Sequence, residues 1–186
     1  MRTLATIVAT LMVLVAIGAV YVWSGLYNVA ASEPHAPGVE WLFNTFRERS
    51  VIEHSAGIMP PPLKEPRRIQ AGAPVYDAMC RTCHGAPGYD PSEIGRGLNP
   101  QPPKLWTEAV QRARDAELYW VVKHGIKMTG MPAFGLTHEE DKLWSIVAFV
   151  RELPGLQPEA YTVMVQESKE TQPAPEEKPA RGHTHQ

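Results

Sequence analysis

The sequence predicts an all-α protein, with a small helical domain over about residues 67–153 and one membrane-length helix before it. Three observations lead there. Apolar residues in the middle of the chain recur at helical spacing, as Leu143, Trp144, Val147 and Val150 do. Strand signals are nearly absent, and Gly- and Pro-rich connectors separate the periodic segments. Finally, residues 4–23 form an uncharged, mostly apolar run.

That run would extend about 30 Å as a helix, the thickness of a bilayer's hydrocarbon core. Tyr21, Trp23 and Tyr27 supply aromatic residues where it would meet the interface. Arg2 precedes it and no Lys or Arg follows until Arg47, which places the N-terminus inside and the remainder outside. Residues 1–31 therefore read as a transmembrane anchor or a signal peptide. The run exceeds the usual signal-peptide core of roughly 7–15 residues, which favours the anchor. Either way, the rest of the chain is exported.

Residues 32–66 combine an amphipathic helix and a proline-rich connector. Val39, Leu42, Phe43 and Phe46 fall at helical spacing over 38–53. Their apolar face suits either packing on the domain or docking at a membrane or partner. Residues 59–66 carry too many prolines for a helix. A helix is predicted over 67–80, where Pro74 should shorten or kink it. Residues 85–103 read as loop, and 107–111 as a brief turn. The next helix runs from Asp115, a candidate N-cap, to His124, with Gly125 as its stop. Thr137 and Glu140 suit a capping box for a last helix that ends at Pro154 and Gly155. Residues 156–186 read as a flexible tail, disordered from Val165 onward.

A formal charge of −2 gives no basic field, so nucleic-acid binding has no electrostatic support. The only cysteines are Cys80 and Cys83, too close together to staple a fold. They belong to Cys80-Arg81-Thr82-Cys83-His84, and Cys-x-x-Cys-His is the attachment motif for haem c. The two thiols match the separation of the haem vinyl groups, and the adjacent His84 can ligate the iron. A thioredoxin-like redox pair would need a βαβ context, which is missing. A structural zinc site would need a fourth ligand. Met131, in Gly130-Met131-Pro132, stands 47 residues beyond His84 and offers a thioether to the opposite face of the haem. Met128 and, further off, His124 are its rivals.

With these residues in place, the sequence over about 67–153 resembles the class I c-type cytochromes in their short bacterial monohaem form. The resemblance implies the small all-α fold of that family around one covalent haem c. It implies that Gly72 and Tyr76 meet the C-terminal helix carrying Trp144, Ala148 and Phe149. It also implies that the carbonyl of Pro103, or of neighbouring Pro102, accepts the His84 Nδ1–H. Trp106 is a candidate donor to a haem propionate, though packing is the simpler reading. Lys123, Lys127, Arg81 and Arg96 are candidates to ring the haem edge, a solvated surface being the simpler reading. His183 and His185 in the tail read as solvated.

The expected function is one-electron transfer by a membrane-tethered carrier with His84/Met131 ligation, at the periplasmic side of a bacterial inner membrane. Redox proteins are the expected partners, with no small-molecule substrate and no catalytic residues. The alternative is a fixed haem subunit of a membrane-associated dehydrogenase or oxidase.

Overall fold

The computed structural model describes residues 2–171. The chain divides into two compact units, before and after His35.

The first unit is built on helix α1 (Arg2–Trp23), about 33 Å long at the standard rise. No residue of α1 is buried, and mean hydropathy reaches 2.4 over its most apolar window. By length and composition α1 can cross a bilayer. Its polar groups suit that setting, since the Thr6 and Thr10 hydroxyls donate to carbonyls one turn back, at 3.0 Å.

The second unit holds α2 (Pro37–Ser55), α3 (Pro66–Met79), α4 (Arg81–His84), α5 (Glu93–Arg96), α6 (Glu108–Gln111), α7 (Asp115–His124), α8 (Glu140–Glu152) and α9 (Pro158–Thr171). No strand occurs among the described residues, so the all-α expectation holds. The core is the crossing of α3 and α8. Every residue from Leu143 to Val150 is buried, as are Gly72, Ala73, Val75 and Tyr76. The helices touch at Gly72, where a Cβ would lie 2.0 Å from the Ser145 carbonyl oxygen and 2.8 Å from the Phe149 Cβ. Tyr76 and Phe149 close the crossing with ring centroids 5.3 Å apart.

Four expectations need correcting. Helix α3 runs unbroken through Pro74, because packing on two neighbours outweighs the lost backbone hydrogen bond. The 85–103 loop contains α5, whose first turn is capped by Ser92 Oγ accepting from the Gly95 N–H at 3.3 Å. Asp115 is inside α7 rather than capping it, since Arg151 Nε donates to its carboxylate at 2.7 Å. Thr137 does not cap α8 either. Its hydroxyl is engaged with Phe134 and His138, and α8 begins at Glu140, which pairs with Lys123.

The tail differs most. Where the sequence reads as disordered from Val165, α9 continues to Thr171 and packs on α3. Tyr161, Val165 and Ser168 share one helical face and are buried. The Tyr161 hydroxyl donates to Asp77 at 3.0 Å, Lys169 Nζ to the same carboxylate at 2.8 Å, and Arg81 pairs with it at 2.7 Å. His183 and His185 lie outside the described residues.

Burial alone would raise the Asp77 carboxyl, but Lys169, Tyr161 and Arg81 outweigh it and hold the group below the usual range. A carboxyl depressed in the folded state contributes stability above its unfolded pKa of about 3.9 and loses it as pH falls through the folded value. Acidification below about pH 4 should therefore loosen α9. Asp77→Asn should weaken α9 at neutral pH and remove that acid dependence, read by amide hydrogen exchange along 158–171.

Helix α2 packs on α7 through its C-terminal half. Arg114, the residue that opens α7, reaches the Ile52 carbonyl and the Ser55 hydroxyl, each at 3.4 Å. At the other end Trp41 and Phe46 are 67% and 61% exposed.

Candidate functional site

The last turn of α3 delivers Cys80, whose N–H still donates to the Tyr76 carbonyl at 2.8 Å. The chain then tightens into the single turn of α4, with the Cys83 and His84 N–H groups both donating to the Cys80 carbonyl, at 3.1 and 2.9 Å. This puts the two thiols three residues apart on one helical face. Both are free, Cys80 buried and Cys83 half-buried. Burial pushes the Cys80 thiol up to about 12, so it stays protonated at neutral pH. A dithiol redox pair needs the opposite, a depressed thiol. Among the described residues no group of three His, Cys, Asp or Glu side chains is arranged to hold a metal ion.

His84 is aimed by two contacts. Gly85 takes φ +71°, where a Cβ would lie 2.8 Å from the Tyr89 carbonyl oxygen, so only glycine reverses the chain here. The buried Tyr76 hydroxyl donates to the Gly85 carbonyl at 2.8 Å and pins the reversal. His84 Nδ1 then lies 2.7 Å from the Pro103 carbonyl oxygen, which resolves the choice between Pro102 and Pro103. A carbonyl only accepts, so Nδ1 carries the proton and Nε2 keeps its lone pair. Burial lowers the His84 pKa, against the smaller opposing effect of that hydrogen bond, and favours the neutral ring. Such an imidazole is a ready metal ligand.

Helix α5 and the loop after it tie this turn to the methionine loop. Gly95 backs onto Cys83, where a Cβ would sit 2.9 Å from the Cys83 Cα, and Leu98 packs on Gly130. Within the methionine loop, Thr129 Oγ1 accepts from the Met131 N–H at 3.1 Å and donates to the Ile126 carbonyl at 2.8 Å. The Ile126 N–H closes the loop on the Met131 carbonyl at 3.2 Å. Gly125, at φ +64°, is the second required glycine, because a Cβ would lie 2.6 Å from that same carbonyl. Met131 is half-buried, whereas Met128 is 80% exposed and His124 is exposed with its ring tilted against Trp120. Trp106 packs beside Gly85 under the Lys104 ammonium. Leu105, Leu118, Val122 and Phe134 rest on the core only partly covered, an apolar lining suited to a large apolar group. A neutral imidazole, a thioether and two thiols on one helical face form a donor set that fits haem.

Residues 67–150 match the family described as cytochrome C oxidase, cbb3-type, subunit III. Residues 67–150 form a class I c-type cytochrome domain. The chain is also 29% identical over 136 residues to the quinohemoprotein alcohol dehydrogenase of Comamonas testosteroni. That alignment takes in 69% of this chain and 18% of the dehydrogenase, so the chain spans less than a fifth of that relative. A cytochrome domain binds haem and carries electrons, and α1 is its candidate membrane helix.

Two features of this cytochrome region escape the motif. Tyr76 positions the turn after His84, and the α9 face that buttresses Tyr76 lies beyond the family match. The 161, 165, 168 spacing was the available signal for α9. Of the four expected edge cations, Lys123 is paired with Glu140 and Arg81 with Asp77.

Proposed function

We propose that this chain is a membrane-tethered one-electron carrier holding a single haem c, bound through Cys80 and Cys83 and ligated by His84 and Met131. The observation that carries the reading is the 2.7 Å contact of His84 Nδ1 with the Pro103 carbonyl, which directs the Nε2 lone pair outward. Haem supplies reversible one-electron chemistry at its iron. The protein's part is to orient and seal. Cys80 and Cys83 fix the group by thioether bonds, the Thr129-braced loop presents the Met131 sulfur, and the partly covered apolar residues exclude water. Two strong protein ligands leave no site for a substrate, and the soft sulfur favours the reduced state. Trp106 lies where it can contact the edge of the group.

Helix α1 anchors the chain in the inner membrane, with the cytochrome domain on the periplasmic side. Tethering raises the effective concentration of redox proteins held in the same membrane. A potentiometric titration of the full-length protein should follow a single one-electron curve, and two waves would contradict a single haem.

A fixed subunit of an oxidase or dehydrogenase complex is the second reading. It is favoured by the matched family's description and by the exposed Trp41 and Phe46 of α2. Purification in mild detergent separates the two. A stoichiometric partner favours the subunit, and isolated protein that still cycles favours the free carrier.

A further inference from the structure

On the face of α7 turned away from Leu118 and Val122, a cleft of about 350 Å³ opens between α2, α7 and α8. Its size suits a single small ring and is at the low end for small-molecule sites. The floor is a stacked, buried pair, Tyr119 of α7 and Trp144 of α8, with centroids 4.0 Å apart and planes 8° apart. Trp120 stands in the wall, with two imidazoles of the lining close to it. His54 at the end of α2 lies 5.8 Å from it and His124 at the end of α7 lies 5.1 Å from it, both tilted 39°.

The polar character of the cleft is specific. His54 Nδ1 lies 2.8 Å from the Ser50 carbonyl oxygen, so Nδ1 carries the proton and Nε2 is left as an acceptor. Burial, the Lys123 ammonium and His54 lower the His124 pKa, which favours its neutral form and a second acceptor nitrogen. Lys123 and Glu140 neutralise one another at the α8 side, so no net charge there selects an ion. An aromatic lining that carries two imidazole acceptors calls for a planar neutral ring that donates two hydrogen bonds.

We propose that this cleft binds a hydroxylated aromatic ring of the hydroquinone class, lying among the aromatic side chains of the lining and hydrogen-bonded by His54 and His124. The site is separate from the haem donor set and stands whether or not the His84/Met131 assignment holds. It also gives α2 a role, because His54 is one of its walls.

The test is calorimetric titration of 1,4-hydroquinone into the full-length protein, kept fully reduced so that no electron can pass from the ring. One saturable site is expected. His54→Ala and His124→Ala should each weaken it at least tenfold, and Trp120→Leu comparably. His54→Gln, which keeps an acceptor, should recover part of the loss. The reduced haem spectrum, unchanged in each variant, verifies that the domain is intact. Absence of saturable binding, or equal affinity in all the variants, would overturn the proposal. So would saturable binding of Zn²⁺ by the two imidazoles with none of hydroquinone.

Discussion

Gly72→Ala is expected to lower the melting temperature of the cytochrome domain by on the order of 15 °C, at about 4–8 °C per kcal/mol for a domain of this size. The added methyl would sit 2.0 Å from the Ser145 carbonyl oxygen and 2.7 Å from its carbon, far inside van der Waals contact. Those are backbone atoms of α8, so no rotamer relieves them. Shortening either nearby side chain does not help, since the Phe149 atom concerned is its Cβ. The helices must instead move apart along a crossing that buries Leu143 to Val150. Overpacking of this kind costs about 3 kcal/mol or more, a large part of the ~5–15 kcal/mol that holds a domain together. Gly155→Ala is the control. A Cβ there meets nothing within 4 Å, and its melting temperature should match the parent's. Equal melting of Gly72→Ala and Gly155→Ala would contradict the close α3–α8 crossing.

The second large effect concerns Met131. Met131→Ala should convert a low-spin spectrum to one with high-spin character, abolish the far-red methionine-to-iron band and admit carbon monoxide to the reduced form. The reduction potential should fall by on the order of a few tenths of a volt, because axial ligands set haem potentials over a range of about 0.8 V. The loop itself should survive, since Thr129, Ile126 and Gly125 hold its backbone without the Met131 side chain. Met128→Ala separates the two methionines. Its side chain is 80% exposed, and both spectrum and potential should stay at parent values. A spectrum changed by Met128→Ala and unchanged by Met131→Ala would reverse the assignment.

These residues were legible to different degrees, for physical reasons. The attachment motif needs only local spacing, because one helical turn suffices to put two thiols on one face. Gly72 was legible through the family resemblance, and the helix period located the apolar face of α8. The His84 acceptor was legible to within two adjacent residues, because which of the two proline carbonyls turns inward depends on how the 99–106 segment folds back. Asp115 was misread because a tertiary partner overrode local capping, and Thr137 because its hydroxyl is taken by neighbouring Phe134 and His138. Arg151 and Lys123 recruit Asp115 and Glu140 from distant elements.

Helix α9 was missed because a polar average over residues 156–186 masks three inward residues at helical spacing, and because its anchor, Asp77, is 84 residues before Tyr161. The cleft was invisible for a similar reason. His54 stands 66 residues before Trp120, and nothing local relates the two.

The central claim is one haem held covalently by Cys80 and Cys83, and the intact mass of the full-length protein after acidic acetone extraction tests it most directly. The account predicts a chain heavier than the apoprotein by one haem, with Cys80→Ser/Cys83→Ser losing the group on extraction. A wild-type chain recovered at the apoprotein mass would contradict it.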